Sequence, residues 1–118
     1  MTDIQTHTGS CHCGAVAYEV EMSLDGLIEC NCSHCHRKGF VLGFVKPDAF
    51  RLTADGPQTE YLFNNHRIRH RFCQTCGVQT FARGVAPDGS EMVAVNVRTL
   101  TDIEPFSWTA TRVGGRSF

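Results

Sequence analysis

The chain has 118 residues, 42% of them hydrophobic and 19% charged, with a formal net charge of −1. That length suits one domain with a modest core. The charge balance excludes a disordered charged tail and gives no global pull toward nucleic acid or an anionic membrane. Eleven glycines and a scatter of valine, threonine and phenylalanine predict a turn-rich, mainly β architecture rather than a helical bundle.

The opening residues MTDIQTHTGS lack a basic start followed by an apolar run, so no secretory leader is expected. Residues 1–8 read as a loose lead-in to a single unit spanning 1–118. No stretch reaches the roughly 18 apolar residues of a membrane helix. A cytoplasmic chain with reduced thiols is the expectation.

The first strand signal is AVAYEVE at 15–21, where Val16, Tyr18 and Val20 share one face. Leu27 to Cys30 is a short apolar run. FVLGFV at 40–45 reads as a buried strand closed by Lys46-Pro47-Asp48, with Phe50 to Thr53 as a short successor. Thr59 to Phe63 and Arg67 to Phe72 predict a hairpin around Asn64-Asn65-His66, since asparagine tolerates turn dihedrals. MVAVNV at 92–97 is a further strand, preceded by the turn Pro87-Asp88-Gly89. Helix is scarce, confined to a turn or two after Cys32 and around Leu100 to Ile103. Strands separated by turns suggest a twisted β-sandwich or open barrel.

Seven cysteines form three groups: Cys11-His12-Cys13-Gly14, Cys30-x-Cys32-x2-Cys35, and Cys73-Gln74-Thr75-Cys76-Gly77. An odd number in tight clusters argues for metal rather than disulfides in a reducing compartment. Four thiolates close a tetrahedral zinc and three leave a position open, so seven divides as four plus three. Spacing alone pairs Cys32 and Cys35 with Cys73 and Cys76, as in a zinc ribbon. The first and last groups both end in glycine, which accepts the positive φ of a metal knuckle, and that feature instead pairs Cys11 and Cys13 with Cys73 and Cys76. Buried thiols that serve only as core are the plainer alternative.

GSCHCGAV at 9–16, CNCSHCHRKGF at 30–40, HRFCQTCG at 70–77 and VAVNVRTL at 93–100 together resemble the glutathione-dependent formaldehyde-activating enzyme family. Its domain is shared with centromere protein V and has an Mss4-like β fold. The resemblance implies a structural zinc on Cys11, Cys13, Cys73 and Cys76. It also implies a second, catalytic zinc on Cys30, Cys32 and Cys35. The activity it implies is that of a carbon–sulfur lyase handling S-hydroxymethylglutathione.

Three thiolates around Zn2+ leave a net charge of about −1 and blunt the metal's Lewis acidity. Such a site suits capture of an outside thiol better than activation of water. Closure by His34, His36 or a nearby carboxylate is the competing arrangement and would make both metals structural. Zinc deaminase chemistry is excluded, because no H-x-E precedes a P-C-x-x-C.

From His66 to Phe72 the residues alternate, with His66, Ile68, His70 and Phe72 on one face and Arg67, Arg69 and Arg71 on the other. Those arginines, with Arg37 and Lys38, could grip the two carboxylates of a small thiol such as glutathione. A solvated basic face beside Glu60 or Asp55 is the plainer reading. His70 and His12 read as satisfied side chains outside the site. Phe40, Phe44 and Trp108 could wall a pocket, although aromatics in so small a β domain are more often core. The residue His36 between Cys35 and the basic pair departs from many relatives and shifts those cations relative to the metal. A non-catalytic module for a thiol, protein or nucleic-acid partner is the alternative function; the slightly acidic charge argues against nucleic acid.

Overall fold

The computed structural model describes residues 4–31, 33–62, 68–86 and 88–113. Among these residues ten strands form two sheets, joined by one short α-helix and two 3-10 turns. The smaller sheet holds β1 (Gln5–Ser10), β2 (Val16–Met22) and β5 (Phe50–Asp55) in the order β1-β2-β5, all antiparallel. The larger contains β3 (Leu27–Cys30), β4 (Leu42–Val45), β6 (Gln58–Tyr61), β7 (Arg69–Cys73), β8 (Phe81–Val85), β9 (Glu91–Asn96) and β10 (Ala110–Val113). Its order is β10-β3-β4-β9-β8-β7-β6, antiparallel except where β10 lies parallel to β3. Neither sheet closes into a barrel, in keeping with the expected twisted β-sandwich.

Alternation in β2 decides how the sheets meet. Val16, Tyr18, Val20 and Met22 are buried while their neighbours are less so. They pack against Leu27, Phe81, Val93 and Val95 of the larger sheet, with the Tyr18 and Phe50 rings stacked 5.2 Å apart. A fully buried side chain of this kind contributes about 1.5–3 kcal/mol, so this interface dominates stability.

Register places other residues on the outer face of the larger sheet. Tyr61 pairs with His70, His70 with Ala82, Ala82 with Ala94, and Ala94 with Phe44. This row crosses five strands with rings at its ends and methyl groups at its centre. The helix α1 (Ser33–Lys38) lies on this face, burying Cys35 beside Phe40 and Leu42.

Several sequence expectations change. Residues 5–8, expected as part of a loose lead-in, belong to β1: His7 and Gly9 turn inward, and His7 Nδ1 lies 3.0 Å from Asp102 Oδ2. The strand expected from Phe40 begins at Leu42, and its Phe44 is 47% exposed rather than core. The stretch from Leu100 is not helical; a 3-10 turn at Val97–Thr99 precedes it. The expected hairpin forms between β6 and β7, while its turn at 64–66 lies outside the described residues. Among the described residues no helix is long and apolar enough to cross a membrane.

Candidate metal and thiol site

Cys11 directly follows β1 and Cys73 ends β7, so the core itself delivers both. Each opens a tight turn. Gly14 N donates to Cys11 O at 3.2 Å and Gly77 N to Cys73 O at 2.9 Å. The glycines take φ of 82° and 79°, a region that other residues enter only under strain. These turns aim backbone N–H groups at sulfur: Val16 N lies 3.3 Å from Cys11 Sγ and Thr75 N 3.3 Å from Cys73 Sγ.

The four sulfurs of Cys11, Cys13, Cys73 and Cys76 lie within 4.8 Å of one another and could hold a metal ion. Tetrahedral zinc with bonds of about 2.3 Å sets sulfurs roughly 3.8 Å apart. Cys11 to Cys13 measures 3.7 Å and Cys13 to Cys73 3.6 Å, so the cluster fits that ion. The sulfurs are unequal. N–H groups of Val78 and Cys13 hold the Cys76 thiol down to about 6, and the Cys76 N–H lowers Cys73. At Cys13 the Ala15 N–H pulls downward, but desolvation and the neighbouring sulfurs outweigh it and raise the thiol to about 11. The cluster therefore holds thiolates readily at one end and a proton at the other, and metal binding expels such a proton.

The remaining cysteines gather elsewhere. Cys30 ends β3 half-buried, and Cys35 is buried in α1; both pack with Phe40, Leu42, Ile28 and Ala94 on the outer face. Cys32 lies outside the described residues. The helix ends where Gly39 N and Phe40 N both reach Cys35 O, at 2.9 and 3.4 Å. Arg98 braces that end, donating from Nε to Gly39 O at 2.7 Å while its guanidinium packs against Phe106 and Trp108.

Helical spacing stacks Ser33 with Arg37 and His34 with Lys38, each four residues apart. They line a cavity of about 750 Å³ with Tyr61, Phe72 and Gln79. The His34 ring stacks on Tyr61 at 5.5 Å and meets the His70 ring at 4.1 Å. Lys38 Nζ lies 5.2 Å from the Phe72 ring centre. Burial, then the nearby His34 and Lys38, lowers His70 to about 4; burial and Lys38 also lower His34. Both imidazoles are therefore neutral at ordinary pH.

The cations beside the cavity are Arg37 and Lys38, not the β7 arginines. Arg71 pairs with Glu60 at 3.2 Å and Arg69 is exposed opposite Arg83; Arg67 lies outside the described residues. His12 is exposed. Phe40 is buried within the small cluster beneath α1 and Trp108 packs against the main core. Sequence reasoning left out His70, Tyr61 and Gln79. The alternation in β7 already put His70 and Phe72 on one face, whereas Gln79 carried no signal.

The family described as glutathione-dependent formaldehyde-activating enzyme matches residues 6–112. The chain belongs to that family. A Phaeosphaeria nodorum protein that bears the family's name provisionally is 34% identical over 79 residues, covering 62% of this chain and 42% of the relative. A Pyrenophora teres f. teres protein, named in the same way, is 29% identical over 83 residues, covering 64% and 44%. The chain thus spans less than half the length of these curated relatives. A crystal structure of a Rhodobacter sphaeroides protein superposes with a TM-score of 0.79 at 30% identity, covering 90% of this chain and 99% of that one.

Proposed function

We propose that residues 1–118 act as one zinc-dependent carbon–sulfur lyase unit that forms and cleaves S-hydroxymethylglutathione. In this reading Cys11, Cys13, Cys73 and Cys76 hold a structural zinc, while Cys30, Cys32 and Cys35 hold a second, catalytic one. The observation that carries it is the cavity against α1, with Cys30 and Cys35 packed together beneath the helix and Arg37 and Lys38 on the wall. When bound, the soft cation would favour the thiolate form of an incoming thiol.

The bond changes are simple. The thiolate sulfur attacks the aldehyde carbon, a carbon–sulfur bond forms, the carbonyl π pair moves to oxygen, and that oxygen takes a proton. Cleavage reverses each step. The chain's own residues supply binding and orientation. Arg37 and Lys38 attract the carboxylates of the peptide thiol, and His34, stacked on Tyr61, adds a ring face to that wall.

Zinc content measured with and without glutathione tests the reading. The wild type should hold two equivalents and Cys35→Ser one, with glutathione altering the spectrum of a cobalt-substituted wild type only. One equivalent in both proteins, or a cobalt spectrum indifferent to glutathione, would sink it.

A further inference from the structure

Gln79 is 5% exposed and lines the cavity. Its backbone is pinned: Asn96 Nδ2 donates to Gln79 O at 2.9 Å, and Asn96 N to Thr80 O at 2.9 Å. Its side-chain amide is oriented by two neighbours. Nε2 reaches Phe81 O at 3.4 Å, and a backbone carbonyl can only accept, so the NH2 group must face it. The same Nε2 lies 3.0 Å from His70 Nδ1. With Nδ1 accepting, a neutral His70 carries its proton on Nε2. Burial favours that neutral form and lowers the ring to about 4. A protonated ring would offer N–H at both nitrogens and turn the amide around.

One polar atom of the side chain remains. Among the described residues, Gln79 Oε1 is buried without a hydrogen-bond partner. Proteins satisfy roughly 90% or more of such groups, so an orphan acceptor on a residue that lines a cavity points to a donor arriving with a ligand. Of the other polar groups on that wall, Arg37 and Lys38 only donate, while Ser33, His34 and Tyr61 can also accept. A hydroxyl entering the cavity needs an acceptor for its hydrogen, and a carbonyl such as formaldehyde has no hydrogen to give.

We infer that Gln79 Oε1 accepts the O–H of the hydroxymethyl group, so that Gln79 selects the hydroxyl-bearing adduct over the bare thiol. This rests on the lyase reading above. A contact to the hydroxymethyl oxygen that is equally strong in ground and transition states belongs in KM rather than kcat. Peptide N–H groups of the same substrate offer the same donor chemistry, and the experiment separates them.

Steady-state cleavage of S-hydroxymethylglutathione is compared between wild type and Gln79→Met, alongside the dissociation constant of S-methylglutathione, which keeps the peptide and lacks the hydroxyl. The variant should raise KM roughly tenfold, hold kcat within a few-fold, and bind S-methylglutathione like wild type. Equal weakening for S-methylglutathione would give the contact to a peptide N–H and overturn the assignment. An unchanged KM in a folded variant would also overturn it. If the variant does not fold, the Gln79 side-chain amide resonances of the wild type decide: they should shift with the hydroxymethyl adduct and stay put with the methyl thioether. A wild type that neither makes nor cleaves the adduct refutes the lyase reading itself.

Discussion

The two groups of thiols are built on opposite principles. Cys11, Cys13, Cys73 and Cys76 come from two turns distant in sequence, and their partners are one another and backbone N–H groups. The group at Cys30 and Cys35 is local, spread over a strand end and one helix, and it packs with Phe40, Leu42, Ile28 and Ala94 while other residues of that helix line a cavity. On the reading proposed above, the cluster that ties remote segments together serves the fold, and the thiols carried by the cavity's helix serve the ligand.

The largest expected effect comes from cutting the distant cluster. Cys73→Ser should abolish the cooperative thermal transition seen by circular dichroism, because structural zinc supplies about 10–16 kcal/mol of folding free energy against a total stability of roughly 5–15 kcal/mol. A variant that melts like wild type would erase the contrast between the two groups. Cys35→Ser should do the reverse. Loss of outer partners alone costs a metal site 10–100-fold, so losing this ligand should cut lyase activity at least roughly 100-fold. Its stability should fall by only about 1–2 kcal/mol in denaturant melts.

The imidazoles sharpen the contrast at the cavity. The folded state keeps His70 unprotonated down to about 4, while the unfolded chain takes up that proton near the ordinary 6.5. Between those values the unfolded state binds more protons, so stability is complete above 6.5 and falls as pH drops toward 4. His34 works in the same direction. Thermal melts across this window should show a shallower loss for His70→Gln than for wild type; identical slopes would refute it. The smallest effect belongs to a turn. Gly77→Ala meets no atom within 4 Å, so only its φ of 79° opposes the methyl group. Chemical melts should show a loss of about 1–2 kcal/mol.

Much of this was legible in residue patterns. Alternation located β2 because its inward side chains are large and apolar, and the apolar run at Leu27–Cys30 coincides with β3. The glycines after Cys13 and Cys76 joined the right four cysteines, since the positive φ they permit is a local property. β1, β8 and β10 were missed. β1 turns His7 and Gly9 inward rather than large apolar residues, and β8 carries Arg83 and Gly84 within a run of five. These strands form because neighbours pair with them, β2 with β1, β7 and β9 with β8, and β3 with β10, which no local pattern reports. The cavity was half visible. His34, Arg37 and Lys38 follow from helical spacing, whereas Gln79 owes its place to Asn96, Phe81 and His70, all distant or unremarkable in sequence.

The turn at Cys73 leads straight into that wall. Cys73 N binds Val78 O at 3.1 Å, the next residue is Gln79, and Thr80 is then caught by Asn96. Eight residues thus couple the four-sulfur cluster to the cavity mechanically. On the reading proposed above, starving that cluster of its ion would unfold this tether together with the sandwich, and enzymatic output would dim although every residue of the cavity wall is intact.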